Sequence, residues 1–126
     1  MKITSFNPLI VSQHSEEIIQ LFEALGFERR HMKTDIEGGE NTDVRMRDPS
    51  GFHVDVASSN HVPQDLTSIR INVDDFDEAY EFLTARGFKN AQGDKVTDTG
   101  SSHATMMVSP SGFAINLIKH IRKEEQ

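Results

Sequence analysis

The chain contains no cysteine and no tryptophan, and only one tyrosine and four prolines. Without cysteine, disulfides, thiolate metal sites and cysteine nucleophiles are excluded, and the redox compartment is left open. No apolar run approaches the roughly 20 residues that a membrane-spanning helix needs. No apolar core follows Lys2, so the segment from Met1 to Ser5 does not read as a signal peptide, and a cytoplasmic protein is expected. Positive charge is also scarce: 13 Lys and Arg stand against 20 Asp and Glu, a formal net charge of −7. That balance favours solubility and argues against nucleic acid or an anionic membrane as the main partner. Hydrophobic residues make up 36 % of the 126, enough for one compact domain or for two half-domains that share a core. A lone half would be marginal, so the halves are expected to depend on each other or on a second subunit.

What is present is a stretch written twice. Asp48-Pro49-Ser50-Gly51-Phe52 returns as Ser109-Pro110-Ser111-Gly112-Phe113, sixty-one residues later. Asp or Ser first, Pro second and Gly fourth are the preferences of a type I turn, and alternating residues on both sides make each copy a hairpin. Leu25-Gly26-Phe27 matches Arg86-Gly87-Phe88 at the same offset, and each Gly-Phe precedes its hairpin glycine by twenty-five residues. Two marks in constant register imply a duplicated unit of about sixty residues.

Each copy reads strand, helix, strand, strand, strand. Residues 3–11 form a first strand, in which Pro8 hints at an edge or a bulge. A helix follows, capped by Ser12, His14 or Ser15, with Ile18, Leu21, Phe22 and Leu25 on one face and Gly26 as its terminator. Residues 27–33 are strand-length, and residues 35–41, with Gly38-Gly39, are a loop that could cover a pocket. In the strand of residues 42–47, Val44 and Met46 share one face, and Asp43, Arg45 and Arg47 share the other, which could be a pocket edge or a solvated face, the solvated face being the simpler expectation. After the turn, Phe52, Val54 and Val56 oppose His53 and Asp55. Residues 58–66 link the copies. Ile69, Ile71 and Val73 then oppose Ser68, Arg70 and Asn72. The run Asp74-Asp75-Phe76-Asp77-Glu78 reads as a helix cap rather than a metal site, ahead of a helix through Ala79, Phe82 and Leu83 to Gly87. Residues 88–102 hold one strand and a loop. Residues 103–108 and 113–118 close the second copy, with Met106 and Met107 on opposite faces and a charged tail after them. His14, His31, His61 and His120 fall in cap, loop or tail positions.

With this order and spacing the chain resembles the vicinal oxygen chelate superfamily, which includes glyoxalases, bleomycin-resistance proteins and extradiol dioxygenases. The matching residues are the helix end Phe22-Glu23-Ala24-Leu25-Gly26-Phe27, the turn Asp48-Pro49-Ser50-Gly51, the segment Ile71-Asn72-Val73-Asp74-Asp75 and the second turn. The resemblance implies an α+β fold: two tandem βαβββ modules, about 1–60 and 66–120, forming one domain over residues 1–126 whose cupped mixed sheet surrounds a small-molecule pocket. A homodimer is implied as well.

The metal enzymes of that superfamily take ligands from the first strand of each module and from a position four residues past the hairpin glycine. Here these positions fall on Phe6 or Asn7, Asp55, Ser68 and Asn116. Only Asp55 is a good anionic ligand, and Ser and Asn bind metals weakly. No metal or cofactor is therefore expected. The resemblance narrows to metal-independent binding of a small molecule, as in bleomycin-resistance proteins. His53, Asp55, Ser68, Arg70, Asn72 and Asn116 are the candidate ligand-binding residues, with Pro8 and Ile10 as an apolar wall if Phe6 is in register. Arg70 could hold a carboxylate or phosphate, or pair with Asp55. The competing expectations are a divergent metal-dependent lyase, isomerase or dioxygenase built on Asp55 with His53 or His103, and a regulatory or interaction module with a closed cavity.

Overall fold

A computed structural model describes residues 1–33, 42–98 and 102–120, apart from the side chains of residues 31–33. The Gly38-Gly39 loop and the charged tail beyond His120 lie outside the described residues. The first module comprises β1 (Ile3–Ser12), α1 (Ser15–Ala24), β2 (Glu28–Lys33), β3 (Asp43–Arg47) and β4 (His53–Ser58). The second comprises β5 (Leu66–Val73), α2 (Phe76–Thr84), the two-residue strands β6 (Lys89–Asn90) and β7 (Thr97–Asp98), β8 (Ser102–Val108) and β9 (Ala114–His120). The single strand expected between residues 88 and 102 is thus two short ones, and both pair with β8.

The chain packs as two compact units, one of Asn7–Thr67 and one of Met1–Phe6 with the chain from Ser68 onward. The first six residues belong with the second module because the backbone of Lys2 exchanges hydrogen bonds with Asp74, whose amide and carboxylate both take part. In the Asn7 unit the strand order is β2-β3-β4-β1, with β4 parallel to β1 and antiparallel to β3. In the Ser68 unit β5 lies between the start of β1 and β9, followed by β8, with β9 parallel to β5 and antiparallel to β8.

The repeated marks are local backbone devices. Gly51 donates its N–H to the Asp48 carbonyl at 3.0 Å, and Phe52 donates to the Asp48 carboxylate at 2.8 Å. Gly112 and Phe113 do the same with the Ser109 carbonyl and hydroxyl, each at 3.0 Å. The first turn residue must therefore carry a short side-chain acceptor, which Asp and Ser supply. The Gly-Phe pairs are Schellman ends: Phe27 donates to the Phe22 carbonyl at 2.9 Å and Phe88 to the Leu83 carbonyl at 3.1 Å. The expected apolar contact across that motif is present, with the Phe22 and Phe27 rings edge to face at 5.3 Å.

Each unit has its own core, built as the strand alternation requires. Ile19 of α1 packs with Val44, Met46, Val54 and Val56, joined by Ile10, Ile18 and Phe22. On α2, Phe76 and Ala79 pack with Val73, Met107 and Leu117. The buried stripe of α1 thus runs through Ile19, and Leu21 and Leu25 of the expected face are exposed. Ile10 belongs to this core, so it cannot supply the apolar wall on the opposite face. The Asp75 carboxylate accepts from the Glu78 N–H at 3.0 Å and caps α2 as its sequence implied. At α1 the cap position is His14, whose side chain makes no cap bond; Ser12 Oγ accepts the His14 N–H instead.

Gly87 (φ +91°) and Gly26 (φ +105°) occupy equivalent left-handed positions, but a Cβ on Gly87 would meet Pro110 Cγ at 3.0 Å, whereas one on Gly26 would meet nothing within 4 Å. Both substitutions to Ala carry the left-handed penalty of roughly 1 to 2 kcal/mol. Gly87→Ala is expected to cost about 1 kcal/mol more than Gly26→Ala through the Pro110 contact. Urea unfolding of the two variants measures the difference, and equal losses would show that Pro110 yields freely.

Candidate functional site

The sheet register decides which polar side chains meet. Closing the first hairpin at Asp48 and Phe52 and counting outward pairs Arg47 with His53 and Arg45 with Asp55. Paired residues share a face, so the Arg45 side chain lies over the Asp55 side chain. Asp55 has no exposed surface. A carboxylate so placed is stable only if its oxygens are satisfied. Arg45 does this with a fork: Nε donates to Oδ1 at 2.8 Å and an Nη to Oδ2 at 2.9 Å. The same side chain donates to Asn7 Oδ1 at 3.3 Å. Hydrogen bonding to Asp55, opposed by partial burial and aided by the charges of Asp55 and Asp43, raises the Arg45 guanidinium above the usual arginine range. A cation whose range is raised stays charged at every pH below it, so Arg45 remains a guanidinium cation throughout ordinary pH.

Of the two expectations for Arg45, a pocket edge or a solvated face, the sequence favours the solvated one. The structure corrects this: its side chain is 27 % exposed and faces Asp55. The signal that would have found it was the turn itself, since the hairpin register follows from the Asp48–Phe52 closure. Arg47, by contrast, is exposed.

The choice between Phe6 and Asn7 is settled by burial and register. Leu9 pairs with Asp55 just as Arg70 pairs with Asn116, and both pairs keep the sixty-one-residue offset. Asn7 is therefore the counterpart of Ser68. It is 4 % exposed, and Phe6 is 62 % exposed. Ser15 and Phe76, which open the two helices, stand at the same offset, so the stretches before the two helices are equally long. Pro8 is exposed, and the buried apolar residue beside Asp55 is Leu9.

In the Ser68 unit, Ser68, Asn72 and Asn116 are buried and Arg70 is half-buried. Arg70 Nε donates to Asn116 Oδ1 at 2.6 Å. Met106 occupies the place opposite Asn116 that Arg45 occupies opposite Asp55. Met106 is half-buried, and Met107 lies in the core. Each unit thus brings a guanidinium to the polar residue of its central strand, from β3 in one and from β5 in the other. His53 is exposed at the start of β4. His103 is partly exposed and lies 3.6 Å from Asp98, in the other unit from His53 and Asp55.

The four positions that the resemblance assigns to metal ligands hold Asn7, Asp55, Ser68 and Asn116. Both oxygens of the one acidic donor are engaged by Arg45. This set does not fit a divalent metal site, which needs three or four histidine or carboxylate donors. Among the described residues, no three His, Asp or Glu side chains group to hold a metal ion. No described helix is long and apolar enough to cross a membrane.

The architecture is that of the vicinal oxygen chelate fold, an α+β arrangement of two βαβββ modules. Solved structures with this fold include a glyoxalase/bleomycin resistance protein/dioxygenase superfamily member from Vibrio splendidus, with 17 % identity, 94 % of this chain and 99 % of that chain covered, and a TM-score of 0.61. Methylmalonyl-CoA epimerase from Mycobacterium tuberculosis aligns with 14 % identity over 97 % of this chain and 91 % of its own, with a TM-score of 0.72. A glyoxalase I mutant from Zea mays aligns with 17 % identity over 94 % of this chain and 43 % of its own, with a TM-score of 0.67. The sequence matches no family model and no curated protein. At these identities the likeness is one of fold.

Arg45→Met leaves the Asp55 carboxylate buried without its cation and is expected to cost about 3 kcal/mol. The double variant Arg45→Met with Asp55→Asn reproduces the Met106–Asn116 pair of the other unit. It should be more stable than Arg45→Met alone, by about 1 kcal/mol or more. Denaturant unfolding of the full cycle checks this; simple additivity would mean the fork contributes nothing.

Proposed function

We propose that the chain is a metal-independent binding protein for a small molecule, of the kind found among bleomycin-resistance proteins, acting in the cytoplasm as one domain per subunit of a homodimer. The observation that carries this reading is the Arg45 fork on Asp55. A cation brought to that carboxylate would face a guanidinium at contact distance, with a repulsion on the order of 4 kcal/mol per unit charge near a protein surface. Asn7, Ser68 and Asn116 would add only neutral, weak donors. The same residues suit direct ligand binding, which needs a few convergent polar groups beside apolar ones. Ser68, Arg70, Asn72 and Asn116 supply these in one unit. In the other, His53 and Asp55 lie on the face that holds Leu9.

A second reading is a metal-dependent lyase, isomerase or dioxygenase. It is favoured by the neighbours described as an epimerase and a glyoxalase I. Metal analysis and thermal shifts separate the two. Protein purified without chelator is expected to hold no stoichiometric divalent metal. Manganese, nickel and zinc should give no saturable rise in Tm relative to chelator. A saturable rise that is lost in Asp55→Ala would overturn the proposal in favour of the enzyme. Sedimentation equilibrium tests the homodimer.

A further inference from the structure

The polar residues of the Ser68 unit are ordered across its strands. Ser68, Arg70 and Asn72 alternate with Ile69, Ile71 and Val73 on β5, so they project from one face. Register sets Arg70 beside Asn116 and Asn72 beside Ile118 on β9, then Met106 and Ala104 beside those on β8. Along these two rows polarity falls from β5 to β8. Strand spacing of about 4.8 Å makes this gradient about 10 Å long.

The polar end is rich in donors. Arg has only N–H groups, so the Asn116 oxygen must be the atom facing Arg70 Nε, and Asn116 Nδ2 is left to donate elsewhere. Ser68 is 3 % exposed and its hydroxyl has no hydrogen-bond partner among the described residues. Ser5, on the adjacent strand β1 of the same unit, also has a buried hydroxyl without a partner. Buried polar groups are nearly always satisfied, and the unsatisfied Ser68 hydroxyl marks a place where an outside group completes the pairing.

We propose that this face binds a molecule with an oxygen-acceptor headgroup, a carboxylate or a ketone, on an apolar body. The headgroup accepts from Ser68 Oγ and Asn116 Nδ2, and the body lies across β8 over Met106 and Ala104. The side-chain flexibility of Met106 suits an apolar body of variable shape. The assignment rests on the small-molecule binding reading and names the ligand class of that site.

The test titrates isotope-labelled full-length protein, in chelator, with phenylacetate, phenylbutyrate and naphthoate, and with phenylbutylamine as the donor-headed control. The acids should shift the Asn116 side-chain amide resonances saturably, and the amine should not. Ser68→Ala should weaken binding of the acids about five- to tenfold, the loss of one hydrogen bond. It should also raise the Tm of the unliganded protein by about 2 to 4 °C, because an unsatisfied buried hydroxyl is removed. No saturable shift with any of the acids, equal binding of the amine, or unchanged affinity in Ser68→Ala would each overturn the assignment. If the acids fail but other small molecules stabilise the protein without metal, only this assignment falls. If the acids bind only with added manganese, the metal-independent reading falls instead.

Discussion

A carboxylate buried in the middle of a strand needs a cation within hydrogen-bond reach, and Asp55 obtains one from the strand beside it. Leaving such a charge unpaired costs several kcal/mol, a large part of the stability of a small domain. The Arg45 fork therefore constrains more than one side chain. It requires β3 and β4 to hold one register, and a slip by one residue would turn Arg45 toward the core of Ile19, Val44 and Met46. The turn at Asp48 to Phe52 enforces that register through a side-chain acceptor and a glycine with positive φ.

The second module meets the same need differently. Its central strand carries Asn116, which is neutral and tolerates Met106 in place of an arginine. The guanidinium comes from β5, where Arg70 stands at the position that Leu9 holds in the first module. Duplication supplied two equivalent frames, and substitution placed the cation on opposite sides of the central strand in each. The cation of the first frame stands on β3, away from β1; that of the second stands on β5, on the other side of Asn116 from Met106 of β8.

The vicinal oxygen chelate fold does not by itself supply the donors of a metal site. The four positions where the resemblance expects donors hold Asn7 and Asp55 in one unit and Ser68 and Asn116 in the other, and none of them is histidine or glutamate. Asn7 and Asp55 are tied into one network by Arg45, and Asn116 is tied to Arg70. These hydrogen bonds hold the polar groups of each unit in fixed directions.

The sequence by itself determined the elements whose causes are local. The two turns, the two Schellman ends and the Asp75 cap each depend on residues within five of one another, so a glycine, an Asp or a Ser at the right spacing is sufficient. The duplication and the offset of sixty-one residues followed from those marks. What the tertiary structure decided were the partnerships between strands. Arg45 read as solvated because alternation alone does not say what covers a polar face. Asn7 was not distinguishable from Phe6 until β1 was set against β4. The missing partner of Ser68 is likewise a property of its surroundings. Local residue preferences set the backbone; which charge meets which carboxylate depends on segments ten to fifty residues apart, and only their packing brings them together.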